Sequence, residues 1–333
     1  MKLRKLIYYT SILIPLLVLM FSISISIGVS ESGVKFELDR IFNFFLGRAD
    51  EIDKVIIFQI RFPRVLTSIF AGGGLAIAGA ILQAIIRNPL AEPYILGISS
   101  GSAFGAVVSI ALIGSFSFTF TPILALAGSL FVTLLVYFLG KKRGMIDINT
   151  MLLSGIMTGS FFSALILLII TLSGESVKNV LFWLLGNLAN VNLSQSILIS
   201  IVVLIFSVLT FIYAYRLNLL AVGEEIATQL GIDAELTKKS AYFVASILTA
   251  VVVSVTGIIG FVGLVVPHIC RRIFGVDYRI LVPTSFFSGA IILLFADMVA
   301  RVALYPNEIP IGTVTALFGA PFFIYLLKKE KKV

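Results

Sequence analysis

Long apolar runs without a single charged residue recur along the whole chain. The run over 93–140 has room for two membrane crossings, because a helix needs about 20 apolar residues to cross the hydrocarbon core of a bilayer. Strands of a membrane barrel would carry a polar residue at every second position, and these runs do not. The pattern predicts an all-α, polytopic membrane protein with a single domain, residues 1–333. About ten transmembrane helices are predicted, at 7–28, 65–86, 95–114, 121–140, 150–172, 195–215, 240–257, 259–270, 280–303 and 311–327.

The composition and the distribution of charge agree with this pattern. Of the 333 residues, 59% are hydrophobic and 13% are charged, whereas a soluble domain carries about 25% charged residues. If the N-terminus lies inside, most lysines and arginines fall in cytoplasmic segments, as the positive-inside rule requires. We therefore predict a multi-pass protein of the cell (cytoplasmic) membrane, surrounded by lipid, with both termini in the cytoplasm. The same rule explains the net charge of +8 without a nucleic-acid partner.

Few residues in the chain are suited to catalysis or to metal binding. The single cysteine, Cys270, rules out an internal disulfide, and the single histidine, His268, rules out a histidine cluster. The chain also lacks a G-x-x-x-x-G-K-[ST] phosphate-binding loop. We therefore expect a protein that is not an enzyme, with no cofactor and no metal site, and any ATP hydrolysis would belong to a separate chain.

Three arginines lie near the predicted outer ends of the spans, where the positive-inside rule disfavours them. Arg61 and Arg64 flank Phe-Pro before the second span, and Arg301 lies near the end of the ninth. Guanidinium groups at an outer rim offer bidentate sites to the carboxylates of a partner protein. They can equally be interfacial anchors, and Arg301 can pair with Asp297 about one helical turn away. The spacing alone leaves these interpretations open.

The longest inner connection, residues 216–239, has the features of a docking element. Glu224 and Glu225 follow Gly223, and carboxylates in a first helical turn suit the helix dipole. Gly231 fits the position after a helix end, and Asp233 can cap the next helix. We predict two short amphipathic helices joined at Gly231, with Ile226 and Leu230 exposed to a cytoplasmic partner. A helix lying on the lipid surface is the alternative.

An inner turn over 87–93 leads into a run of small polar residues. Asn88-Pro89 and Glu92-Pro93 cannot continue a helix, because proline removes a hydrogen-bond donor and restricts the residue before it. Ser99, Ser100 and Gly101 then enter the third span. Small polar residues at this depth can line a wet pathway or hydrogen-bond to neighbouring backbone, and the second interpretation is favoured for any single serine.

Taken together, these stretches resemble the permease family of ABC importers for ferric siderophores, haem and cobalamin, the FecCD type. The resemblance runs from about residue 55 to the C-terminus, and the motifs occur in the order of the family. It implies ten transmembrane helices in a type II ABC importer permease fold, with two permease subunits around a central pathway. We predict a homodimer, and a paralogue as the second subunit is the alternative that the sequence leaves open. The resemblance also implies two cytoplasmic ATPase subunits and an extracytoplasmic substrate-binding protein that delivers a metal chelate. The matching stretches are 61–64, Gln83, 87–93, 96–101, 183–186, 219–231, 259–268, 296–301 and 309–323.

The resemblance also implies roles for individual residues. By similarity, Arg61, Arg64 and Arg301 meet glutamates of the binding protein. The ATPase-coupling residues implied are Gly223, Glu224, Glu225, Ile226, Leu230 and Gly231, and the pathway residues implied are Asn88, Ser99, Ser100 and Gly101.

Two points stand apart from the family motifs. The outer segment 31–53 is charged and matches no motif of the family. The alternative function from another class is an ion-coupled secondary transporter, in which acidic residues or broken helices occur at the membrane midplane. Asp297 is the acid embedded near a span, and it lies close to the outer end.

Overall fold

The computed structural model describes residues 2–30, 33–37, 42–44, 46–48, 50–113, 116–173 and 177–330. Most of them are helical, as the apolar runs predict. Part of the outer segment 31–53 and the two chain ends lie outside the described residues, so the predictions about them are not addressed by the fold. We call the end of the bundle where α1 finishes and α2 begins the outer end, following the charge pattern.

The described residues form thirteen α-helices, one of which includes a π-helical section, together with one short 3-10 helix at Pro93–Leu96 and two short hairpins. The helices are α1 Lys2–Ser26, α2 Glu51–Ile86, α3 Ile98–Ile113, α4 Phe120–Leu139, α5 Ile148–Ser173, α6 Val177–Leu184, α7 Leu193–Ile212, α8 Ala214–Val222, α9 Glu224–Gln229, α10 Ala234–Thr256, α11 Val262–Phe274, α12 Tyr278–Val302 and α13 Ile311–Glu330. The antiparallel hairpins pair β1 Ile27–Ser30 with β2 Gly33–Phe36, and β3 Lys141–Lys142 with β4 Met145–Ile146.

Each of the predicted spans overlaps one of these helices. Among the described residues, seven helices (α1, α2, α4, α5, α7, α10 and α12) are long and apolar enough to cross a membrane. Helix α3 and the apolar part of α13 are shorter. Helix α11 has 13 residues, a length of about 20 Å at 1.5 Å per residue, so it cannot span the core alone. The number of crossings therefore stays a prediction.

Helix α2 is the centre of the bundle. In the most apolar 18-residue stretch of α2, 83% of the residues are buried, against 6% in the corresponding stretch of α1 at the periphery. It packs against α7, α10, α11 and α12, and glycines make this possible. A Cβ at Gly72 would collide with the backbone of Gly289 in α12, and a Cβ at Gly79 with the backbone of Gly263 in α11. Small residues let membrane helices approach closely where hydrophobic burial no longer drives association.

The helix that contains the second predicted span, 65–86, begins earlier, at Glu51. The helix runs through a π-helical section, Ile56–Arg61, where the amide of Phe62 bonds to the carbonyl of Ile57, five residues back. Pro63 follows directly; it has no amide hydrogen and its ring clashes with the carbonyl four residues earlier, and the wider π turn relieves this conflict. Arg61, which the sequence analysis places just before the span, therefore lies inside a continuous helix.

The inner connection also differs from its prediction. Helix α9 is a single short helix, and the second expected one is the first part of α10, which begins at Ala234. As predicted, Asp233 caps that helix by accepting the amide of Leu236 at 2.9 Å. Gly231 ends the preceding turn with φ +81°, which favours glycine. Lys238 in the first part of α10 is buried, and two glutamates neutralise its ammonium group.

Between α10 and α11 the chain is unwound over 257–261 and braced by residues of the inner turn. The Glu92 carboxylate accepts the amide of Phe261 at 2.8 Å. The Tyr94 hydroxyl donates to the carbonyl of Ile259 at 2.5 Å and accepts its amide at 3.1 Å. Phe261 itself has φ +68°, a strained value for an aromatic residue. These bonds satisfy backbone groups that the helix break leaves open, as apolar surroundings require.

Candidate functional site

The three outer arginines converge at one place, where the outer ends of α1, α2 and α12 meet. All three are buried, with Arg61 8% exposed, Arg64 7% and Arg301 5%. Desolvating a charge is costly unless it is paired and hydrogen-bonded. The partners of these guanidinium groups therefore decide what the cluster can do. We call Arg61, Arg64, Arg301 and their carboxylate partners the outer arginine cluster.

Asp297 of α12 is the centre of this cluster, and its side chain is fully buried. Arg64 Nε donates to Asp297 Oδ1 at 2.8 Å. Arg301 Nε lies 3.1 Å from Asp297 Oδ2, an ion pair without good hydrogen-bond alignment. Arg64 Nη1 also lies 2.9 Å from Glu308 Oε2. The interpretation of Arg301 as a partner of Asp297, left open by the spacing, is thus seen in the structure.

The end of α1 supplies the remaining partners. Arg301 Nη2 donates to Ser24 Oγ at 2.6 Å, and Arg61 Nη1 donates to the carbonyl of Ile25 at 3.0 Å. The carbonyl end of a helix carries the negative pole of its dipole, so guanidinium groups are favourable there. The second partner of Arg61 is the carboxylate of Glu37, which follows the β1–β2 hairpin.

The cluster therefore pairs three arginines with three carboxylates of the same chain. Its more exposed members are acidic: the side chains of Glu37 and Glu308 are 16% and 38% exposed. Ser24, Glu37 and Glu308 are not among the predicted site residues, because each lies far along the chain from the arginine that it contacts. The docking role of the arginines stays a prediction, and in this conformation they are closed off by intrachain partners.

The residues predicted to couple to an ATPase, which we call the inner coupling surface, have the opposite character. Helix α9 leaves Glu225, Ile226 and Leu230 exposed, and it buries Ala227 beneath them. Gly223 is the buried link to α8, and Gly231 forms the turn toward α10. Ile226 and Leu230 thus form a small exposed apolar surface beside the carboxylate of Glu225.

One predicted coupling residue is held within the chain. Glu224 Oε2 lies 2.9 Å from the Nζ of Lys238, which is also 2.9 Å from Glu235 Oε2. The same Nζ donates to the carbonyl of Ile146 in β4 at 3.1 Å. Lys238 therefore connects α9, α10 and the β3–β4 hairpin. Glu224 is the residue of α9 that takes part in this connection.

The predicted pathway residues separate into two places. Asn88 borders an open cavity of about 680 Å³ at the inner end, beside Arg87, Val222 and Arg271. Its Oδ1 accepts the amide of Leu90 at 2.9 Å, which shapes the turn.

Ser99, Ser100 and Gly101 lie together in α3, away from that cavity. A Cβ at Gly101 would lie 2.5 Å from the carbonyl of Gly128, so this glycine brings α3 against α4. Ser100 faces Gly159 of α5, and Ser99 is buried. The geometry favours packing over pathway lining for Gly101. Among the described residues, no group of three or more His, Cys, Asp or Glu side chains could hold a metal ion.

The comparison with known proteins decides the family. The model of the FecCD transport family matches residues 16–329. The chain belongs to the FecCD transport family. It is 41% identical to the cobalamin import system permease protein BtuC of Halobacterium salinarum, over 84% of this chain and 75% of that one. It is 36% identical to the iron(3+)-hydroxamate import system permease protein FhuG of Bacillus subtilis, over 94% of each chain.

The FecCD fold is supported by a solved structure as well. A metal-chelate type ABC transporter in an inward-facing conformation superposes with a TM-score of 0.83 at 34% identity, covering 95% of this chain and 97% of that one. The resemblance inferred from the motifs is thus confirmed for the family. The multi-pass membrane character predicted from the apolar runs agrees with this membership.

Proposed function

We propose that this chain is the membrane-spanning permease subunit of an ATP-binding-cassette importer. Its cargo is a metal chelate: an iron–siderophore complex, haem or cobalamin. The observation that carries the proposal is the FecCD match over residues 16–329, supported by relatives named for cobalamin and for iron hydroxamate import. Residues 1–333 act as one transmembrane domain, with about ten crossings and both termini in the cytoplasm.

The complete importer contains further chains. Two copies of this permease enclose the pathway, two ATPase subunits bind the cytoplasmic face, and an extracytoplasmic binding protein delivers the chelate. The similarity to a metal-chelate ABC transporter supports this assembly. The chain has no phosphate-binding loop of its own, which fits a division of labour between transport and ATP hydrolysis.

The inner coupling surface lets movement of the ATPase act on the permease. The ATPase contacts α9 at Glu225, Ile226 and Leu230 and moves it when ATP closes the ATPase dimer. Because Lys238 joins α9 to α10, α10 moves with it. Helix α10 ends at the unwound segment 257–261, which Glu92 and Tyr94 connect to the inner turn. Movement at the cytoplasmic face is thereby passed into the middle of the bundle.

The outer and pathway assignments complete the proposal. Arg61, Arg64 and Arg301 receive glutamates of the binding protein at the outer end. For the pathway, Asn88 at the inner cavity is better supported by its position than Ser99, Ser100 and Gly101, which lie where α3 packs on α4 and α5.

Transport into proteoliposomes tests the proposal. The chain is reconstituted with its candidate ATPase and binding protein, and uptake of radiolabelled ferric siderophore, haem and cobalamin is measured. We expect uptake of one ligand that requires ATP and both partners, which also names the chelate. Uptake that ignores ATP and follows a proton or sodium gradient would instead establish the secondary transporter.

A further inference from the structure

One arginine of the outer cluster is bound by a carboxylate from a segment that matches no motif of the family. Glu37 follows β2, and its amide bonds to the carbonyl of Ser26 at 2.9 Å, so the hairpin turns back onto the end of α1. This places the Glu37 carboxylate on the guanidinium of Arg61. Under the proposed function, this same guanidinium binds a glutamate of the binding protein.

The hairpin approaches this ion pair closely because of a glycine. A Cβ at Gly28 in β1 would lie 2.5 Å from Arg61 Nη2 and 2.5 Å from Glu37 Oε2. Any side chain at position 28 would therefore push the pair apart. The hairpin backbone covers Arg61, which explains why a cation at the outer end is only 8% exposed.

The carboxylates of the cluster are held with different strength. Asp297 is fully buried in α12 between two arginines, so its removal would leave charges in the interior. Glu37 instead lies just after a two-stranded hairpin and its side chain is 16% exposed, so its carboxylate can return to water at a smaller cost. The guanidinium of an arginine has five N–H donors, so it can also donate hydrogen bonds to a second carboxylate. Glu37 is therefore the exchangeable partner.

We propose that the β1–β2 hairpin is an intrachain competitor of the binding protein. Glu37 occupies on Arg61 the place that a glutamate or aspartate of the binding protein takes, and docking proceeds by exchange of carboxylates with release of the hairpin. This inference rests on the proposed docking function. It predicts that Glu37 lowers the affinity of the free permease for the acidic binding protein.

The test measures the dissociation constant between the full-length permease in nanodiscs and its candidate binding protein, by surface plasmon resonance. Glu37→Gln removes the competing charge and keeps the shape, so we expect about tenfold tighter binding, which corresponds to about 1.4 kcal/mol. Glu51→Gln is the matched control, because Glu51 is exposed on α2 and pairs with Lys54 outside the cluster. We expect it to leave binding unchanged.

A second variant separates this inference from the docking function. Arg61→Met combined with Glu37→Gln removes both charges of the pair together, which avoids an unpaired buried cation. We expect this variant to bind more weakly than wild type. Binding as tight as that of Glu37→Gln would show that Arg61 is not a docking residue and would remove the docking function. Weak binding by the double variant, with wild-type or weaker binding by Glu37→Gln, would leave docking standing and refute the competitor.

Hairpin release can be followed directly if Glu37→Gln fails to fold. The only native cysteine, Cys270, is buried, so Lys35→Cys in β2 can carry a single fluorophore. We expect its emission to change when saturating binding protein is added. An unchanged signal at saturation would overturn the proposal, because the hairpin would then stay on Arg61 in the complex.

Discussion

The outer arginine cluster and the inner coupling surface are both expected to meet partner proteins, yet they are built in opposite ways. At the outer end, the charged groups are buried and matched by carboxylates of the same chain. At the inner end, Ile226 and Leu230 are more than one-third exposed on a helix of six residues. A partner can therefore cover the inner surface as it stands, whereas docking at the outer end requires existing bonds to be exchanged.

Among substitutions that test this contrast, the largest expected effect is at Asp297, the buried centre of the outer arginine cluster. Asp297→Asn leaves Arg301 without its carboxylate and Arg64 with Glu308 alone, so two buried cations lose compensation. Breaking a buried pair from one side costs about 3–5 kcal/mol, and we expect the lower part of this range because Glu308 remains. The melting temperature of the purified chain in detergent measures the loss.

Glu51→Gln is again the control for this change, since its carboxylate is exposed and separate from the cluster. Equal melting temperatures for Asp297→Asn and Glu51→Gln would mean that the outer cluster contributes nothing to stability, and the contrast between the two surfaces would disappear.

At the inner surface the same logic predicts a loss of binding without a loss of stability. Ile226→Asp with Leu230→Asp places charges where an apolar contact forms, and residues central to an interface contribute about 2 kcal/mol or more. We expect the ATPase to bind about 100-fold more weakly, while the melting temperature stays at its wild-type value. Co-purification and titration with labelled ATPase measure this.

Gln229→Ala is the matched control on the same helix, because Gln229 is exposed and lies outside the apolar pair. ATPase binding at wild-type strength by the double aspartate variant would show that α9 is not the docking surface.

A smaller effect tests whether α9 is rigidly tied to α10. Lys238→Met removes the buried ammonium that joins Glu224 and Glu235. Both glutamates are about one-third exposed and stay hydrated, so we expect a stability loss of only about 1 kcal/mol.

The coupling of ATP hydrolysis to transport should suffer more than stability does in Lys238→Met. We expect normal ATPase binding with several-fold less chelate transported per ATP hydrolysed in proteoliposomes. An unchanged ratio would mean that movement of α9 reaches the bundle by another route.

The apolar pattern predicted the helices well, and it missed the contacts between distant segments. Spans appear in the sequence as uncharged runs because lipid imposes that composition on each helix separately. The partners of Arg61 and Arg64 are 24 and 233 residues away, and no local pattern shows such pairings. Glu92 looked like a turn residue for the same reason: the amide that it accepts lies 169 residues later.

The early start of α2 has a local cause that could have been identified. Asp50 caps the helix by accepting the amide of Asp53, and Glu51 pairs with Lys54 one turn later. This is an ordinary helix start, and the uncharged runs did not predict it because its residues are charged. The turn at Gly231 was foreseen because it rests on local chemistry, and so was the cap at Asp233.

The central position of Asp297 has a consequence for how the protein is made. During synthesis α2 enters the membrane long before α12 exists, because Arg64 and Asp297 are 233 residues apart in the chain. Until then the guanidinium of Arg64 must remain hydrated near the lipid headgroups, as long basic side chains do at helix ends. The outer end of the bundle therefore closes only after α12 has left the ribosome, and nascent chains cut short before residue 297 should expose Arg64 to water-soluble reagents.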